Sequence, residues 1–208
     1  MAASDHHLRS NRARPVGGDC LAPDALGERL EEEISRAERQ GTLLSCLLVV
    51  IDELDELARE HGGALREQTI EYVAGALRRE LRRFDRVGLV HSGGSGAQHE
   101  LLIILPGADS PRGEIVARRA LERLRTIKLE TEGRRQPLHV SMGLVAWRQD
   151  ASAESMLAHA RTAMRSARGE NGNGAAAVGA PAGVPEAQPV DPQPLAGVPP
   201  PVDRLRGQ

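Results

Sequence analysis

Two short, unbroken apolar runs, residues 47–51 (Leu-Leu-Val-Val-Ile) and 101–105 (Leu-Leu-Ile-Ile-Leu), constrain this chain more than any other feature. Runs of that length without polar alternation read as strands covered on both faces, and such strands need helices above and below. The helices are there. Leu26, Leu30 and Ile34 recur at helical spacing and predict a helix over about 24–39, ending near Gly41. Ile70, Val73, Leu77 and Leu81 form a second stripe, Ile115, Leu121, Leu124 and Ile127 a third, and Met156, Leu157, Ala160, Met164 and Ala167 a last one. Further strands are expected over residues 86–91 and 138–147, with a Gly- and Ser-rich turn before the 101–105 strand. Helix, strand, helices, strand, strand, helix, strand, helix is the expected order. One pair of strands is joined by a hairpin, so the sheet is mixed. The fold class is α/β (α+β), a ferredoxin-like mixed sheet flanked by helices.

The core must be aliphatic, because Phe84, Tyr72 and Trp147 are the only aromatic residues. That scarcity weighs against single-stranded nucleic-acid binding, which needs aromatic faces for stacking. A formal net charge of −2 likewise argues against a nucleic-acid polymer as partner. Arginine carries nearly all the positive charge, with Lys128 the sole lysine. Cys20 and Cys46 are too few for a disulfide scaffold. No apolar stretch is long enough to span a membrane, and the first 18 residues lack the apolar core of a secretory signal, so a cytoplasmic location is expected. Residues 1–17 read as a flexible segment and 18–172 as one domain. Residues 173–208, rich in Pro, Gly and Ala, read as a disordered tail.

Four segments together resemble the GGDEF family of diguanylate cyclases. ERLEEEISRAERQGTLLSCLLVVID is similar to its leading helix and first strand, and LLIILPG to its second hairpin strand. HVSMGLVAW, with Ser141 and Gly143, resembles its S-x-G strand; MLAHARTAMRSARGENG resembles its closing helix, which usually reads ADxALYxAK. The resemblance implies a role in bacterial cyclic di-GMP signalling. Family members condense two GTP molecules into cyclic di-GMP, two domains each holding one GTP with a divalent metal at the signature hairpin. Such phosphoryl transfer needs carboxylates for metal, donors for phosphate and a group that helps activate the 3′-hydroxyl.

Matched position by position, most of these groups are replaced. The first Asp of the family's Asp-x-Asp, a metal ligand, falls on Val50, which has no donor atom; Asp52 remains at the second position. Asp52 is expected to cap the following helix or to bond locally, with weak metal binding the competing reading. The guanine-reading Asn falls on Ala58 and its acidic partner on Glu67. The GGDEF signature falls on Ala97-Gln98-His99-Glu100-Leu101, where only Glu100 is retained, and the Gly93-Gly94 pair is followed by no acids. Arg168 stands where the family has a phosphate-contacting Lys, and Gly172 where an Arg is common. No catalytic residue and no cofactor is therefore expected, with Mg²⁺ entering only if residual cyclase activity exists. Arg82-Arg83-Phe84-Asp85 does fit the family's Arg-x-x-Asp inhibitory site for cyclic di-GMP. A guanidinium fork suits phosphate and the guanine Hoogsteen edge, and a carboxylate accepts from guanine N–H groups. The competing reading of Arg82 and Asp85 is a simple ion pair at a helix end.

The expectation is a catalytically inactive domain that binds cyclic di-GMP or a protein partner. A divergent active cyclase using Asp52 and Glu100 is the first alternative, and a pure protein–protein scaffold the second. Some 17 residues precede the domain, fewer than the sensor or coiled coil to which active family members are usually joined.

Overall fold

A computed structural model describes residues 20–52, 54–90, 100–131, 134–168 and 174–178. Five helices and eight strands alternate along them: β1 (Cys20–Leu21), α1 (Pro23–Gln40), β2 (Leu44–Ile51), α2 (Leu54–His61), α3 (Gly63–Glu80), β3 (Arg86–Leu89), β4 (Glu100–Pro106), α4 (Ser110–Arg125), β5 (Lys128–Thr131), β6 (Arg134–Pro137), β7 (Val140–Ala146), α5 (Ala153–Ala167) and β8 (Gly174–Val178). Six strands make one sheet in the order β1-β3-β4-β2-β7-β8, and β5 and β6 form a separate ribbon. The inner strands are antiparallel to one another, while β1 on β3 and β8 on β7 pair in parallel at the two edges. The inner order β3-β4-β2-β7 is that of a ferredoxin-like βαββαβ unit.

The apolar runs become strands buried on both faces because each face has its own helices. Leu47, Val49 and Ile51 point to one side with Leu101, Ile103 and Leu105, where Val73 and Leu77 of α3 and Ala120, Leu121 and Leu124 of α4 cover them. Cys46, Leu48 and Val50 point to the other side with Leu102 and Ile104, under Leu26 and Leu30 of α1 and Met156, Ala160 and Met164 of α5. Alternation of side chains along a strand therefore divides the core into two aliphatic halves.

Two expectations need correcting, and one element is additional. Ile115 does not face the core but is 51 % exposed; the buried stripe of α4 runs Gly113, Ala117, Ala120, Leu121, Leu124, and Ile115 lies off it. Residues 174–178 are not tail but the edge strand β8, held on β7 from Ser141↔Gly174 to Val145↔Val178. The domain thus extends to Val178, and residues 179–208 lie outside the described residues. The β5–β6 hairpin was not foreseen either; its exposed Arg135 and Gln136 carry no apolar alternation. No described helix is long and apolar enough to cross a membrane.

Candidate functional site

Val50 is the middle of a cross-strand row. Its Cα partners are Glu100 on β4 and Ser141 on β7, so the three side chains share the α5 face of the sheet. Val50 is buried among hydrophobic neighbours. Asp52, two residues on, lies on the same face just past the strand end and is buried too. Among the described residues its carboxylate has no local partner. Oδ2 accepts a 2.8 Å hydrogen bond from the Ser141 hydroxyl, 89 residues away.

Both retained carboxylates meet arginines of α5. Arg161 forks onto Glu100, its Nε donating to Oε1 and Oε2 at 3.1 and 3.0 Å and its Nη2 to Oε2 at 2.6 Å. Glu100 is only 7 % exposed. The hydrogen bonds that Arg161 donates to Glu100 raise its pKa, with partial burial working against them, so the guanidinium is a permanent charge. Arg168, at the end of α5, sets its Nε 3.1 Å from Asp52 Oδ1. It neutralises a buried carboxylate as well as sitting at a helix C-terminus. The two arginines are two helical turns apart and so lie on one face of α5.

A glycine brings that face close. A Cβ on Gly143 would overlap the Ala160 carbonyl oxygen and stand 2.5 Å from the Met164 nitrogen, so only glycine lets α5 lie this near β7. The Ser-x-Gly of β7 thus has two physical jobs. Ser141 holds Asp52, and Gly143 admits the helix that delivers Arg161 and Arg168.

The second candidate region is the turn after α3. Asp85 is buried, and its Oδ2 accepts from the Arg82 backbone N–H at 2.7 Å, not from the Arg82 guanidinium. Arg78 Nη1 donates to the carbonyls of Arg82 and Asp85, and Arg86 Nη1 to those of Arg83 and Asp85. The turn is therefore fixed from inside, with Arg82, Arg83 and Phe84 exposed on its outside and Phe84 at 72 %. The competing reading, an i,i+3 side-chain ion pair, is not what forms.

The remaining positions divide simply. Ala58 is buried on α2 and Glu67 is exposed on α3. His99, Ala97, Gln98, Gly93, Gly94 and Gly172 lie outside the described residues. Among the described residues no three His, Cys, Asp or Glu side chains form a metal-holding group. Arg161 escaped sequence reasoning, although a signal existed. With Arg168 on the Lys of ADxALYxAK, Arg161 falls on the Asp of that pattern, a reversal of charge at the residue that faces Glu100.

Comparison with known proteins agrees with this fold. The curated diguanylate cyclase DgcP of Pseudomonas aeruginosa is 28 % identical over 148 residues, covering 69 % of this chain and 21 % of that protein. The chain thus spans about a fifth of that relative's length. The GGDEF domain of DgcB from Caulobacter crescentus, solved in complex with c-di-GMP, superposes with a TM-score of 0.69 at 18 % identity, over 83 % of this chain and 98 % of that one. Diguanylate cyclase SiaD of Pseudomonas aeruginosa, solved with its activator SiaC, gives a TM-score of 0.66 at 24 % identity over 76 % and 57 %. At these identities the structures speak for the fold. The sequence pattern of the diguanylate cyclase GGDEF domain itself matches residues 24–174, most of the chain, and the protein is a member of the GGDEF domain family.

Proposed function

We propose that this chain is a non-catalytic GGDEF domain that serves bacterial cyclic di-GMP signalling as a ligand-binding or interaction module. The observation that carries this is Val50, a buried hydrocarbon at the centre of the row where the family places a metal-binding carboxylate. Of its two carboxylate neighbours, Glu100 is committed through both oxygens to Arg161, and Asp52 through Oδ2 to Ser141, with Arg168 as its counter-charge. Metal-dependent phosphoryl transfer without ligands for the metal loses orders of magnitude in rate.

The ligand in this reading is cyclic di-GMP, met by the Arg82–Asp85 turn. Arg82 projects outward and can offer a fork to phosphate or the guanine edge, and Phe84 offers an exposed ring beside it. Asp85 takes a positioning part, because its carboxylate is buried and holds the Arg82 N–H. Arg82 then carries most of the recognition.

An active cyclase is the second reading, favoured by the activity in the name of the curated relative and by the retention of Asp52 and Glu100. Two measurements test both. Purified protein with GTP and Mg²⁺ or Mn²⁺ is expected to yield no cyclic di-GMP; steady product formation refutes the non-catalytic reading. Calorimetric titration with cyclic di-GMP is expected to show binding by wild type and at least tenfold weaker binding by Arg82→Ala, from the loss of about 1.5–3 kcal/mol of charge-assisted hydrogen bonding. Silence from wild type leaves interaction with a protein partner as the remaining role.

A further inference from the structure

We infer that Arg161 is this chain's built-in counter-ion, occupying electrostatically the place that a divalent metal takes in the family, and that Glu100 is kept to pair with it and not for chemistry. The inference rests on the non-catalytic reading and gives it a physical cause. The residues present do not fit a divalent ion. Val50 supplies methyl groups only, and both oxygens of Glu100 accept from Arg161. Asp52 accepts from the Ser141 hydroxyl at Oδ2, while its buried Oδ1 takes no hydrogen bond from the described residues and has Arg168 beside it only as a counter-charge.

The charge count points the same way. Asp52 and Glu100 carry two negative charges, and Arg161 and Arg168 return two positive ones, so the cluster is neutral as it stands. A divalent cation entering it would leave an excess of positive charge against a sheet face that is otherwise aliphatic, at an energy that low local polarity enlarges. It would also have to displace a bidentate guanidinium fork, the geometry in which arginine holds carboxylate best. Close packing of α5 on Gly143 keeps Arg161 where it is, since the helix cannot slide without meeting the β7 backbone. A free metal ligand and this ion pair are therefore alternatives at Glu100.

The test uses the full chain without nucleotide, so that its outcome is separate from GTP turnover. Mn²⁺ is titrated against wild type, Arg161→Ala, Arg161→Lys, Glu100→Gln and the double variant Glu100→Gln/Arg161→Ala, with the free-Mn²⁺ paramagnetic resonance signal and thermal unfolding as readouts. Wild type is expected to take up no Mn²⁺ at millimolar concentration and to keep its Tm. Arg161→Ala is expected to lose about 5–10 °C in Tm, because a buried carboxylate is left alone, and to regain part of it with Mn²⁺. Arg161→Lys keeps the charge but not the fork and should fall between, blind to Mn²⁺. The double variant should be more stable than Arg161→Ala and blind to Mn²⁺. Uptake of Mn²⁺ by wild type that disappears in Glu100→Gln would overturn the inference, as would an Arg161→Ala protein with unchanged Tm. If Arg161→Ala does not fold, the wild-type, Arg161→Lys and Glu100→Gln titrations still decide it. Formation of cyclic di-GMP by wild type would refute the non-catalytic reading without touching these metal-free stabilities.

Discussion

Adding one methyl group at Gly143 tests how the whole site is assembled. A Cβ there overlaps the Ala160 carbonyl oxygen and stands 2.5 Å from Met164 N and 3.0 Å from Met164 Cβ. The first two are backbone atoms, so no side-chain rotation can make room. Helix α5 has to lift from β7 by about 1 Å to restore ordinary contact distances. Overpacking of this kind costs about 1–3 kcal/mol by itself. The lift also draws Arg161 away from Glu100, and charged hydrogen bonds are worth about 1.5–3 kcal/mol each when lost outright. With partial loss, Gly143→Ala should destabilise the domain by about 3–4 kcal/mol, near 10 °C in Tm. Urea unfolding followed by circular dichroism measures this directly. Gly75→Ala is the matched control, since Gly75 lies inside α3 where an added Cβ meets nothing within 4 Å. The same substitution there should stabilise by about 0.5–1 kcal/mol, through helix propensity and a less flexible unfolded chain. A Gly143→Ala protein within about 0.5 kcal/mol of wild type would refute the close-approach reasoning.

Three other perturbations give distinct outcomes. Ser141→Ala removes the hydroxyl that donates to Asp52 inside the buried row and should cost about 1–3 kcal/mol in urea unfolding, an effect absent in an Asp52→Asn/Ser141→Ala pair if it arises from the orphaned carboxylate. Burial pushes the Cys46 thiol up to about 12 from 9.0. Its protonated form is favoured by folding, so this stability is complete below pH 9 and is lost as pH rises towards 12. At pH 10 the loss is on the order of 1 kcal/mol, and Cys46→Ala should show a shallower alkaline decline than wild type. Asp85→Asn retains an oxygen that accepts from the Arg82 N–H, whereas Asp85→Ala does not. Calorimetry should find cyclic di-GMP affinity nearly kept in the first and reduced in the second; equal losses in both would mean the carboxylate charge touches the ligand.

Local pattern and distant pairing account for different parts of this protein. Residues 47–51 and 101–105 could be read as strands because burial on both faces demands unbroken apolar side chains, and that demand is written in adjacent residues. The same holds for α1 and α5, whose stripes follow the helical period. Strand β8 could not be read so. Gly and Ala have little strand propensity, and residues 174–178 are extended because the edge of β7 offers hydrogen bonds there after the α5 crossover. Arg82 and Asp85 were legible as a pair, but not that the carboxylate would take the backbone N–H in place of the guanidinium.

The identity of Val50 is a matter of sequence alone: no folding can give a hydrocarbon a lone pair. What Glu100 does is the opposite case. Its partner Arg161 lies 61 residues away, and the two meet only because β4 starts beside Val50 while Gly143 allows α5 to settle against β7. Side-chain chemistry is local, but charge compensation depends on distance in space, which the packing of helix on sheet decides.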